Sequence, residues 1–206
     1  FTPFLEKDPE ARVCSQWNAV DEFEGIEALT FDGALYKGRK TKVFAYCGYP
    51  NVNCKEKLPA VVLVHGGGGV PFLPWIKQWN DRGYAAIAID NTGYFPTQVN
   101  AGSSEVCQNY DGMKKLWHHG LCDGFAEEGY TDAPDNDKML NSRQPVEEQW
   151  MYHAISQTIM AHNVLLSDER VDPHRIGICG ISWGGIITAL TIGYDNRFAF
   201  AVPIYV

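Results

Sequence analysis

A chain of 206 residues, 45% hydrophobic and 20% charged, is long enough to bury one substantial core and fits one domain better than two. Its 25 acidic residues against 17 basic ones leave a net charge of −8, and no Lys/Arg cluster stands out to neutralise a row of phosphates, which argues against nucleic acid as a partner. No apolar stretch approaches the roughly 18 residues of a membrane span. The first residue is Phe1, and nothing there has the layout of a signal peptide, so the start reads as processed or trimmed.

Residues 1–25 form an N-terminal extension of mixed composition, with Trp17 and Phe23 as anchors onto the main body. Apolar runs at Ile26 to Phe31 and Val43 to Tyr46, around Gly33 and Gly38, predict antiparallel strands. Ala60 to Val64 is a β-branched run of the kind that a sheet covered on both faces requires, and it ends at His65-Gly66-Gly67-Gly68-Gly69. Phe72 to Arg82 has helical spacing and stops at Gly83; Tyr84 to Asp90 is the next strand. Residues 91–144, rich in Gly, Asn, Asp and Ser, read as a long loop excursion.

Pro145 opens a predicted helix to about Leu166, with Glu147 and Glu148 in its first turn and Trp150, Met151, Ala154, Ile155, Thr158, Ala161 and Leu165 on its apolar face. Val171 to His174 reads as a turn, Arg175 to Cys179 as a short buried strand, Trp183 to Ile192 as an apolar helix and Phe198 to Val206 as another buried strand. The alternation predicts an α/β fold with a mainly parallel sheet wrapped by helices. Six cysteines leave pairing open: Cys47 with Cys54 and Cys107 with Cys122 can each close a loop or stay reduced, while Cys179 reads as a buried free thiol. This usage favours a secreted or periplasmic location.

Gly180-Ile181-Ser182-Trp183-Gly184 stands between a predicted strand and helix, the setting in which Gly-x-Ser-x-Gly presents a nucleophile. Tight glycine-flanked turning projects the Ser182 side chain outward, and the helix N-terminus favours negative charge developing beside it. A phosphate-binding βα turn is the competing reading, and the His65 to Gly69 run weighs against it. A glycine loop after a core strand brings amides close to a substrate, whereas the dinucleotide pattern Gly-x-Gly-x-x-Gly fails because Pro71 stands three residues after Gly68. Acyl transfer needs fixed donors for the oxyanion, and Gly67 and Trp183 are the candidate pair, with Gly66 and Gly68 as substrate-binding neighbours. His65 reads as a residue that holds the loop. His118 and His119 with Cys122 and Asp123 have metal-ligand residue types without a complete pattern, so no metal is assigned, and serine acyl transfer needs no cofactor. Trp117, Phe125 and Tyr130 are candidate stacking groups for a sugar at the substrate entrance.

Across Leu58 to Val206 the sequence resembles the acetyl xylan esterase and dienelactone hydrolase-like group of the α/β-hydrolase superfamily. The residues that carry the likeness are His65 to Gly69, Pro145 to Ala154, Val171 to Gly177 and Gly180 to Gly185. The resemblance implies a serine carboxylic-ester hydrolase that deacetylates carbohydrates or similar small esters. It also implies a triad in the order Ser, then Asp or Glu, then His, with both partners beyond the nucleophile. Here the six histidines, His65, His118, His119, His153, His162 and His174, all precede Ser182, and only Asp195 follows among candidate partners of the serine. The sequence therefore reads as a fold truncated after the strand that follows the nucleophile helix, with roughly 60 to 120 further residues carrying the acid and His. Two alternatives stand beside it, a serine peptidase of the prolyl oligopeptidase type and a non-catalytic binding protein of the same fold. On the first reading Ser182 has a strained backbone and faces the Gly66 to Gly69 loop, and no histidine lies within hydrogen-bond reach of its Oγ.

Overall fold

The protein, here a computed structural model, is described over residues 1–51, 56–96, 117–120, 125–134 and 140–206. Its strands are Arg12–Val13 (β1), Glu27–Asp32 (β2), Lys42–Gly48 (β3), Leu58–Val64 (β4), Ala85–Ile89 (β5), Tyr94–Pro96 (β6), Trp117–His119 (β7), Val171–Ile181 (β8) and Phe200–Ile204 (β9). The helices are Thr2–Leu5 (α1), Leu73–Asn80 (α2), Trp150–Leu166 (α3) and Trp183–Thr191 (α4). Among the described residues, seven strands form one sheet in the order β1-β2-β3-β5-β4-β8-β9, and β6 pairs with β7 apart from it. The first three strands and the β3–β5 pair are antiparallel, whereas β5, β4, β8 and β9 run parallel.

Consecutive residues of the parallel strands enter opposite cores. Val62, Val64, Ile87, Ile89, Ile176 and Ile178 join α3 and α4 on one face, while Val61, Leu63, Ala86, Ala88 and Cys179 join Leu73 and Ile76 of α2 on the other. With both faces covered, every position of such a strand must be apolar, which is why β4 and β5 read as unbroken runs. From β4 the chain passes to β5 on one side and later returns to β8 on the other. The carboxyl ends of β4 and β8 therefore meet where the winding reverses, the place where open α/β sheets hold their ligands.

Several elements differ from expectation: the buried strand expected over Phe198 to Val206 is the shorter β9, with Val202 40% exposed, and the expected loop over 91–144 contains the β6–β7 pair. Gln149, extended at φ −84 and ψ 139, separates a 3₁₀ turn at Val146–Glu148 from α3, so Glu147 and Glu148 lie outside the helix's first turn. Helix α3 is also buried nearly all round, because α1 and its neighbours cover the outer side: Asn163 Nδ2 donates to Phe4 O at 2.7 Å and to Lys7 O at 2.8 Å, and the Phe1 and Tyr152 rings stack at 5.0 Å. Strand β8 starts at Val171, but between the pairings Leu58↔Val171 and Ala60↔Ile176 it takes five steps against two on β4. The extra residues bulge outward, with Asp172 accepting from the His174 N–H at 3.0 Å, so the expected turn is present inside the strand.

The N-terminal anchors pack as read from the sequence: Phe23 is buried and Trp17 meets Phe44 edge-on at 5.9 Å. Cys47 is a free thiol that donates to Tyr49 Oη at 3.4 Å, and burial pushes its pKa up to about 12. Cys179 is likewise free and buried. With Cys47 free, its expected pairing with Cys54 is not made, while Cys107 and Cys122, and with them the second pairing, lie outside the described residues. No helix among the described residues is long and apolar enough to cross a membrane.

Candidate functional site

Ser182 occupies the bend between β8 and α4, exposed, with φ 57 and ψ −123, a conformation that a non-glycine residue adopts only under local constraint. Its flanking glycines are fixed by sterics. A Cβ at Gly180 would stand 2.1 Å from Gly184 O, and one at Gly184 would stand 2.0 Å from Val64 O, so any side chain at either position collides with backbone. The first turn of α4 thus sits directly on the end of β4. Ser182 N–H completes the β8–β9 ladder by donating to Ile204 O at 2.8 Å.

The glycine loop lies over the serine. A Cβ at Gly66 would be 3.2 Å from Ser182 Cβ and 3.7 Å from Ser182 Oγ, so this loop and the Ser182 side chain face each other. Gly69 N–H donates to Gly66 O at 3.0 Å, closing a turn whose third residue, Gly68, has φ 83. Gly67 and Gly68 are exposed. Among the described residues, neither the Gly67 N–H nor the Trp183 N–H, the first of α4, has an acceptor, and Ser182 Oγ has no hydrogen bond. Open amides at a helix N-terminus beside an exposed hydroxyl form a surface suited to an oxyanion.

Buried groups hold this surface from behind. His65 accepts the Asn91 N–H at Nε2 (3.2 Å), which places the proton on Nδ1, where it is donated to Gly66 O at 2.7 Å. Asn91 Nδ2 donates to His65 O at 2.9 Å, and Asn91 O accepts the Trp150 indole N–H at 2.7 Å. Trp150 meets the Trp183 ring edge-on at 5.8 Å. Asp90 accepts from Thr92 N–H and Tyr94 N–H, both at 2.8 Å, and so turns the chain after β5. Asn91 is the residue that sequence reading misses: nothing in Asp90-Asn91-Thr92-Gly93 marks it except its place at the end of a strand.

None of the other described histidine side chains bonds to Ser182 Oγ. His153 Nε2 donates to Glu147 O at 2.9 Å, and burial lowers its pKa to about 4. His162 Nδ1 pairs with Asp195 Oδ2 at 2.9 Å, 12 residues along α3 from Trp150 and hence about 18 Å away at the amino ends of the strands. Burial lowers the His162 pKa, with Asp195 opposing it. His174 is exposed in the β8 bulge at that same far end. His119 packs edge-on against Tyr94 at 5.7 Å. The His118 side chain, Cys122 and Asp123 lie outside the described residues.

Of the aromatic groups considered for sugar stacking, Trp117 and Tyr130 are core residues and Phe125 is half-buried against the core. Trp117 meets Phe44 at 5.1 Å and is 4% exposed. Tyr130 is buried with its hydroxyl donated to Asp32 at 2.8 Å, under Lys42, while Phe125 packs on Phe95 at 5.9 Å. Together with Thr131 N–H donated to Lys40 O, they pin residues 125–134 to the antiparallel side of the sheet.

The prolyl oligopeptidase family matches the sequence over residues 142–205, about a third of the chain. No curated protein matches it. Among solved structures it is similar to the acetyl xylan esterase from Paenibacillus sp. R4, at 21% identity and a TM-score of 0.64, over 98% of this chain and 55% of that one. It is similar to acetyl xylan esterase 1 from Thermoanaerobacterium sp. JW/SL YS485 at 15% identity and a TM-score of 0.61, over the same 98% and 55%. The chain spans about half the length of these structures. With the mostly parallel sheet, the helices on both faces and the bend at Ser182, these likenesses identify the architecture: the chain has the α/β-hydrolase fold.

Proposed function

We propose that this chain is part of a serine carboxylic-ester hydrolase that removes acetyl or similar small acyl groups, with carbohydrate esters as the favoured substrate class. The observation that carries the reading is Ser182 itself, exposed at φ 57 on the carboxyl end of β8 and facing the Gly66 turn. In this reading Ser182 Oγ attacks the ester carbonyl and a tetrahedral intermediate forms. The Gly67 and Trp183 amides bind its oxyanion, and Gly66 and Gly68 line the approach to it. Departure of the alcohol leaves an acyl-serine, which water then hydrolyses.

Serine attack near neutral pH needs a base, and none of the histidine side chains described here is hydrogen-bonded to Ser182 Oγ. On the triad order that the resemblance implies, the general base and its carboxylate partner are assigned to sequence that follows the nucleophile in the complete protein. The acetyl xylan esterases of similar fold support the acyl group and the sugar ester. The prolyl oligopeptidase match over residues 142–205 favours a second reading, a serine peptidase with the same nucleophile.

One assay separates them. In the complete protein, Ser182→Ala should lower turnover of an acetyl ester by about a thousandfold or more while leaving thermal unfolding nearly unchanged. Near-parental kcat in the folded variant would remove Ser182 from the chemistry. Faster turnover of peptide amides than of acetylated sugars would favour the peptidase.

A further inference from the structure

Asn91 is buried, 1% exposed, and its backbone and side-chain bonds run to His65 and Trp150, which lie behind the proposed site. Its N–H and Nδ2 engage both the ring and the carbonyl of His65, the residue that leads into the glycine turn. Its carbonyl takes the indole proton of Trp150, whose ring abuts Trp183. The two amides assigned to the oxyanion belong to separate segments, one after β4 and one after β8, and Asn91 at the end of β5 is where their supports join. Its Oδ1 is buried without a donor among the described residues. A buried acceptor left so is destabilising, so this asparagine is poorly explained as a device for stability alone.

We propose that Asn91 is a positioning residue for the acyl-transfer site, holding the Gly67 and Trp183 amides in mutual register through His65 and Trp150. The proposal rests on Ser182 being the nucleophile. An oxyanion forms only as the reaction proceeds, so misplacing its donors weakens transition-state binding more than substrate binding. Loss of Asn91 should therefore appear in kcat and leave KM in place.

The test uses the complete protein, p-nitrophenyl acetate as substrate, and a boronic acid that adds to serine and places an oxygen where the oxyanion forms. Asn91→Ala should lower kcat per folded molecule roughly tenfold or more with KM within about twofold of the parent, and weaken boronic-acid binding by a similar factor. Should Asn91→Ala fail to fold, near-isosteric Asn91→Asp serves, because a carboxylate cannot donate to His65 O; it should show the same split. Trp150→Phe, which removes only the indole donor, should lower kcat by about threefold. A folded Asn91 variant with kcat within about twofold of the parent, or one in which KM alone rises, overturns the proposal. Ser182→Ala in the same assay separates the two failures: if it keeps turnover, the nucleophile reading falls and takes this one with it. If it is inactive while Asn91→Ala is not, only the role of Asn91 is lost.

Discussion

The two ends of the parallel strands carry complementary halves of the residue types that a serine hydrolase uses, and only one of them coincides with the proposed site. At the carboxyl ends Ser182 is exposed and strained beside amides without acceptors, with no base in reach among the described residues. At the amino ends His162 and Asp195 form a 2.9 Å pair with the look of a catalytic dyad, but both are fully buried and the His162 ring stacks on Phe198 at 3.9 Å. Helix polarity sets the ends apart. In a β-α-β winding the helices start where the parallel strands finish, as α4 does at Ser182, so their open amides favour negative charge there. At the far end a carboxylate has no such support. Burial works against the Asp195 anion, and the bonds of Arg197 and His162 overcome it, holding its pKa well below the usual range. Residue types make a site only when the topology delivers them to the end that can use them.

The sharpest way to break this contrast is to open the contact between α4 and β4. Gly184→Ala forces a methyl group to 2.0 Å from Val64 O, a backbone atom that cannot turn aside. Expected is a loss of about 4 kcal/mol or more in unfolding free energy, or no folded protein at all, measured by urea denaturation. Gly193→Ala, whose nearest contact would be 3.2 Å, is the milder control at the other end of α4. A stable Gly184→Ala protein would mean that the turn is looser than its geometry.

A smaller effect distinguishes the dyad at the far end from machinery. Asp195→Ala removes the acceptor of His162 and of Arg197, whose guanidinium also holds Leu5 O at 2.7 Å and Asn163 Oδ1 at 2.9 Å. Breaking a buried pair by deleting one partner should cost about 3 kcal/mol of stability, Arg197 being partly exposed. Turnover per folded molecule of the complete protein should stay at the parental value. A fall in kcat of Ser182-dependent hydrolysis, with folding intact, would return His162 and Asp195 to the chemistry.

The sequence reading reached the sheet and the serine turn because their causes are local. Apolar runs covered on both sides, Gly180 and Gly184 where no Cβ fits, and the glycine loop after β4 each leave a mark within a few residues. It failed where distant segments decide. Helix α3 is buried nearly all round because residues 1–7 fold over it, and Trp117 and Tyr130 are core groups, with Phe125 half-buried beside them, because Phe44, Phe95, Asp32 and Lys42 await them. Asn91 belongs to the same class, since its partners lie 26 and 59 residues away. The start of α3 was misplaced for a nearer reason: Gln149 donates to Ser142 O and Gln144 O and stays extended, which defers the helix to Trp150.

The smallest expected effect tests whether burial alone silences the histidines of α3. His153 lies near the carboxyl end, 1% exposed, with its Nδ1 unpaired among the described residues. Desolvation lowers its pKa from 6.5 to about 4, while the bond to Glu147 O works slightly the other way. In the unfolded chain the ring regains an ordinary value and takes up a proton as pH falls below about 6.5. Between that pH and about 4 the unfolded state binds more protons than the folded one, so stability drops on acidification; below about 4 both forms are protonated and the slope from this group ends. From pH 7 to pH 5 this single histidine should remove about 2 kcal/mol of unfolding free energy. His153→Gln keeps a donor for Glu147 O and cannot titrate, so the carboxylates contribute alike in both proteins and the difference between them isolates the imidazole. Urea unfolding at the two pH values should show a drop about 2 kcal/mol smaller in the variant. Equal drops would mean that the folded protein admits the imidazolium at His153, and that the neutral state of this buried ring is not imposed by its surroundings.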